Sequence, residues 1–183
     1  YAPGSTFKPC TAIAALSEGI IDLNSTIVCN GIFEKYASAG YAPECWIWSS
    51  YHLVHGGDNV VGAIRDSCNI FFYDAGRRVG IDTLGTWAER LGLGVSTGVE
   101  LAGEKTGVVA GPDYTKSVGG IWYEGSVLSA AIGQENNRFT PLQLAHMTAT
   151  LVGDGNRWQV HLLKKTGTEA YTPVSLGKVS IQP

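Results

Sequence analysis

Twenty-four glycines run through these 183 residues, and they limit the length of every element the chain can build. Glycine weakens helix interiors and frees the backbone for turns, so a chain cut this often folds as short elements joined by loops. The residues between the glycines decide the type of each element. "TPLQLAHMTATLVGDG" carries the strongest helical signature, with Thr140 as N-cap, Pro141 at the first helical position and glycine after the end. "TAIAALSEG" reads as the body of a buried helix over residues 5–19, closing near Gly19. "DNVVGAIRD" (58–66, capped by Asp58), "NIFFYDAGRRVG" (69–80) and "DTLGTWAERLG" (82–92, capped by Asp82) read as three more helices. Residues 20 to about 56 show no clear period and read as a functional loop region or several short strands. Residues 93–139 read as mostly loop and "RWQVHLLKK" as a strand.

Composition excludes several functional classes. With 44% apolar and 16% charged residues the chain is globular rather than disordered. A net charge of −3 without a basic block argues against nucleic acid as a partner. No apolar run reaches the length of a membrane span, and no signal-peptide pattern occurs. Cys10, Cys29, Cys45 and Cys68 form no C-x-x-C pair, and the four histidines lack zinc-ligand spacing, so neither a metal site nor a cofactor is expected. Cys29 and Cys45 flank one loop-like segment; pairing in an oxidising compartment and free buried thiols both remain open.

Two short motifs carry possible chemistry. In "PGSTFKP" a helix start brings Ser5 and Lys8 onto one face, three positions apart. A serine hydroxyl is a poor nucleophile until a neighbouring base takes its proton, and a lysine held neutral by burial can be that base. Backbone N–H groups at the helix start would face a developing oxyanion. The plainer alternative is that Ser5 caps the helix and Lys8 is a solvated charge. "DSCN" places Ser67 and Asn69 at a junction between two helices, as catalytic partners or as a capping pair.

"YAPGSTFKP", "DSCNIFFYDAGRRVGID", "GVELAGEKTG" and "AIGQENNRFTPLQLA" occur in the order found in penicillin-binding transpeptidase domains, and the chain resembles that family from residue 1 to about residue 163. The likeness is strongest to the monofunctional enzymes of cell elongation or division. It implies an α+β fold, the mainly helical portion of such a domain with its antiparallel sheet incomplete, and residues 1–183 as one partial domain truncated at both ends. It implies Ser5 as the acylated nucleophile, Lys8 as its base and Ser67 as a proton relay, with Asn69 binding substrate and Trp48 lining the cleft. The implied reaction is D,D-transpeptidation: Ser5 attacks a D-alanyl-D-alanine bond, and an amine of a second stem peptide takes the acyl group. The implied ligands are peptidoglycan stem peptides and β-lactams, and the implied partners are other cell-wall synthesis proteins. The implied location is the extracytoplasmic face of a bacterial membrane, with an anchor outside this chain. A serine β-lactamase or β-lactam sensor is the second enzyme reading, and a non-catalytic binding module is a reading of another class.

The family needs a third motif, Lys-Thr-Gly, which occurs here twice, at 105–107 and 165–167. The first copy reads as a surface loop. The second follows a strand-like run, but the family places a turn and a further helix before the motif strand. The expectation is that neither copy is the functional one, and that this chain alone shows no turnover.

Overall fold

The computed structural model describes residues 1–181. Its centre is α1 (Lys8–Ser17), continuous with a 3-10 turn over Gly4–Phe7. Cys10, Ala12, Ala14 and Ala15 on α1 are fully buried, and their small side chains let neighbouring helices approach closely. α4 (Asn69–Val79) and α5 (Ile81–Arg90) pack on α1, and α7 (Ser126–Ala131) closes over α4. The α4–α7 crossing requires Gly76, where a Cβ would lie 2.2 Å from that of Ala131. Phe71, Phe72, Leu84, Leu128 and Phe139 fill the space between these helices, and Phe7 stacks on Phe139 at 6.0 Å between centroids.

The remaining helices are α2 (Trp46–Tyr51), α3 (Val60–Arg65), α6 (Pro112–Ser117) and α8 (Pro141–Val152). α8 starts with the expected cap: Thr140 Oγ1 accepts from Gln143 N–H, and Gln143 Oε1 accepts from Thr140 N–H. Strands are short and pair antiparallel in twos: β1 (Ile27–Cys29) with β2 (Gly56–Asp58), β3 (Asn156–Trp158) with β6 (Ser175–Lys178), and β4 (Lys165–Thr166) with β5 (Glu169–Ala170). The α+β class with little sheet holds.

Several local expectations are corrected. Asn59, not Asp58, caps α3, its Oδ1 accepting from Gly62 N–H at 3.0 Å. Gly80, not Asp82, stands before α5. The segment 93–139 contains α6 and α7, each too short to show a period in sequence. Of "RWQVHLLKK" only the start is strand, within Asn156–Trp158; the chain then leaves the ladder and re-enters at Lys165.

Candidate active site

Ser5 stands in the 3-10 turn before α1, and no side-chain cap bond forms at that start. Gly4 adopts φ 55° and its N–H donates to Gly133 O at 2.9 Å, fixing the turn against the loop after α7. Ser5 is exposed, while Lys8, one turn on, is 2% exposed beneath it. α3 ends and α4 begins on the opposite side. Between them Ser67 takes the left-handed conformation, φ 52°, which turns its carbonyl and hydroxyl toward Lys8.

Lys8 Nζ donates to Ser67 O at 2.7 Å, Ser67 Oγ at 2.9 Å and Asn69 Oδ1 at 2.7 Å, which occupies all three ammonium protons. Ser67 Oγ in turn donates to Ser5 Oγ at 3.0 Å. Burial lowers the Lys8 pKa to about 8, against the opposing pull of the Cys45 and Cys68 sulfurs. Ser5, Lys8, Ser67 and Asn69 thus meet at one point, with a lysine partly neutral near pH 8 and a hydroxyl bridging it to the exposed serine.

Residues 1–183 match the family model of the penicillin-binding protein transpeptidase domain. The chain belongs to that family. It is 34% identical over 174 residues to peptidoglycan D,D-transpeptidase MrdA of Acinetobacter baumannii, covering 94% of this chain and 25% of that protein. It is similar to the crystal structure of Pseudomonas aeruginosa PBP2 bound to WCK 5153, with TM-score 0.86, 30% identity, and coverage of all of this chain and 41% of that one. It also resembles PBP2 of Helicobacter pylori, solved in complex with MreC, with TM-score 0.79, 30% identity, and coverage of 88% of this chain and 29% of that one. The chain therefore spans about a quarter of the curated relative's length.

Trp48, expected to line the cleft of this transpeptidase-family site, lines a surface cavity with Asn30, Ile32 and Ile70. It packs on Gly31, where a Cβ would lie 2.5 Å from its Cε3, and its ring meets His52 edge-on. The aromatic beside the second motif is Trp46, whose Nε1 donates to Asp66 O at 3.0 Å, one residue before Ser67. Neither Lys-Thr-Gly copy hydrogen-bonds to the four residues. Thr106 O accepts from Gln143 Nε2 at 2.7 Å, so the first copy straps the start of α8. The second copy forms the exposed β4–β5 hairpin, beyond Leu162, whose N–H donates to Glu100 Oε2.

The cysteines depart furthest from expectation. All four are free and buried, so Cys29 and Cys45 do not pair as a disulfide. The Sγ atoms of Cys29, Cys45 and Cys68 and a ring nitrogen of His55 all lie within 4.8 Å of one another. Linear spacing concealed this set because its members come from β1, the start of α2, the loop before β2 and the α3–α4 junction. His55 Nδ1 lies 3.6 Å from Cys45 Sγ, while its Nε2 is buried without a partner. A hydrogen bond from the Cys68 thiol lowers the Cys45 pKa to about 4, and Asn69 N–H at the start of α4 also donates to Cys45 Sγ at 3.3 Å. Cys68 is pushed up as the donor. Three soft sulfurs and an imidazole at this separation can hold a tetrahedral zinc, in which thiolates bound at ~2.3 Å sit about 3.8 Å apart.

Proposed function

We propose that the protein containing this chain is a peptidoglycan D,D-transpeptidase that works through a serine acyl-enzyme, and that residues 1–183 are the helical part of its transpeptidase domain. The observation that carries the reading is the hydrogen-bonded row Lys8–Ser67–Ser5, on a chain whose relatives include a D,D-transpeptidase. Ser5 Oγ attacks the carbonyl of a D-alanyl-D-alanine bond, and its proton passes through Ser67 Oγ to the neutral Lys8 amine. The Ser5 N–H at the start of the helical turn stabilises the oxyanion. The relayed proton leaves with D-alanine, and the amine of a second stem peptide displaces Ser5 from the acyl group. Asn69 holds the substrate amide, and β-lactams acylate Ser5 in place of the peptide.

By the same reading the protein works on the outer face of a bacterial cytoplasmic membrane, anchored by a segment outside these residues. No helix among the described residues is long and apolar enough to cross a membrane. Other cell-wall synthesis proteins are the partners, as MreC is in the H. pylori PBP2 complex. The test is labelling of the full-length protein with a fluorescent penicillin. A long-lived adduct that Ser5→Ala abolishes supports the reading. Rapid release of the drug would instead mark a β-lactamase, and labelling that survives Ser5→Ala would remove Ser5 from the chemistry.

A further inference from the structure

Away from the candidate active site, β3, β6 and the end of α5 enclose a cavity of about 400 Å3. Its charged lining residues are all cations: Arg90, Arg157 and Lys178. The ladder explains why they converge, because β3 and β6 set Arg157 opposite Gly177 and Asn156 opposite Lys178. Arg157 Nη1 donates to Arg90 O at 3.1 Å, tying the strand pair to the last residue of α5. The Arg90 guanidinium lies over the Trp87 ring at 4.9 Å, which holds it at the rim of the cavity.

Among the described residues none of these three cations is paired. The ion pairs among the described residues are made by Arg65, Arg77 and Arg78. Arg157 is half-buried and its Nε is buried without a hydrogen-bond partner. Burial lowers its pKa, with no carboxylate acting in the other direction. A half-buried guanidinium with an unused donor costs free energy unless an anion meets it. Its neighbour His146 adds no further positive charge, because burial and Arg157 both push that imidazole's pKa down.

We propose that this cavity binds a phosphate group. Guanidinium forks match phosphate oxygens in pairs, and an ammonium supplies a further point charge. Three cations are better offset by a phosphate of charge about −1.5 to −2 than by a single carboxylate. Ser180, also in the lining, adds a neutral hydroxyl donor. The phosphate belongs to a soluble phosphate ester or to a phospholipid headgroup. The site shares no residue with Ser5, Lys8, Ser67 or Asn69, so it stands or falls apart from the proposed reaction.

The experiment uses the full-length protein and two probes. Inorganic pyrophosphate is titrated calorimetrically at constant ionic strength, with acetate as the carboxylate control. Binding of soluble short-chain phosphatidylglycerol is measured against short-chain phosphatidylcholine, because the anchor proposed for the full-length protein would carry it into vesicles of either lipid. Binding of pyrophosphate in preference to acetate, weakened at least about tenfold by Arg90→Gln with Lys178→Gln, is the expected result. Both side chains reach solvent, and an unchanged circular dichroism spectrum and melting temperature of the double variant show that it is folded. Phosphatidylglycerol binding lost in the same variant, without pyrophosphate binding, assigns the site to a lipid headgroup. Equal binding of acetate and pyrophosphate, unchanged binding in the folded double variant, or binding of neither probe overturns the proposal.

Discussion

Lys8 Nζ lies 2.9 Å from Ser67 Oγ, and it is Ser67, not Lys8, that hydrogen-bonds to Ser5. The proposed base and nucleophile share one helical segment but communicate through a residue from another. Burial that brings the Lys8 pKa to about 8 makes this path dependent on pH. In full-length protein, the rate of Ser5 acylation by penicillin should rise from pH 7 to 9 with a midpoint near 8, as Lys8 loses its proton. Stability should follow the same group. Below pH 8 the folded and unfolded states both carry the proton, and the fold bears a buried charge. Between 8 and 10.5 the unfolded chain binds more protons at Lys8, so this group's contribution to stability increases with pH, by about 3 kcal/mol in all. It is read as the difference between the parent protein and Lys8→Met, because the buried Cys10, Cys68 and Tyr73 act in the opposite sense. Stopped-flow acylation and urea melts across this range check both trends. A flat rate profile would exclude Lys8 as the base.

Ser67 combines a left-handed backbone with a hydroxyl bonded to both Lys8 and Ser5, and two substitutions separate these contributions. Ser67→Ala keeps a Cβ at φ 52° and removes the hydroxyl; Ser67→Gly relieves the backbone and removes the hydroxyl too. Both should slow acylation by roughly 10²–10⁴, the usual contribution of a positioned proton-transfer group. The glycine variant should melt at the higher temperature. A glycine variant acylated at the normal rate would show that the turn, not the hydroxyl, matters.

The Cys29–Cys45–His55–Cys68 set should retain zinc in protein purified without chelator, at one equivalent per chain by elemental mass spectrometry. Chelation should lower the melting temperature by several degrees, since a structural metal contributes directly to folding. Cys29→Ser should lose the zinc, whereas Cys10→Ser, outside the set, should keep it. Equal metal content in the two variants would refute the assignment.

Gly133 holds the turn bearing Ser5 from behind. At φ 74° a Cβ there would lie 2.2 Å from Gly4 O and 2.7 Å from Phe7 Cβ. Gly133→Ala should therefore cost about 2–4 kcal/mol, combining a left-handed alanine with overpacking against backbone. It should also slow acylation of Ser5, because the turn moves first. Differential scanning calorimetry together with penicillin labelling tests both effects, and a variant unchanged in either would count against this contact.

What could be read from sequence was what neighbouring residues decide among themselves. The α8 cap needs only Thr140, Pro141 and Gln143, and the pairing of Ser5 with Lys8 needs only one helical turn. The position of "SCN" between helices followed from the punctuation on either side. What was missed depended on packing. α7 is six residues long and is held in place where Ala131 meets Gly76, 55 positions earlier in a different helix. Trp46 and Trp48 sit two positions apart on a short helix and so face opposite sides; the bare backbone of Gly31 is what lets the half-buried Trp48 ring lie flat against it. The cysteine set escaped notice because its four members lie on four separate segments.

The contact between Gly4 and Gly133 also orders events in time. Thr11 Oγ1 donates to Ala131 O across 120 positions, and Phe139 N–H donates to Tyr1 O, so the turn bearing Ser5 is closed by residues synthesised long after it. Such long-range closures form late and slowly in folding. A nascent chain emerging from the ribosome therefore displays "STFK" as an open, unarmed segment. On the proposed reading, Ser5 can be acylated only once the loop after α7 has arrived, so acylation would report folding of this region rather than its synthesis.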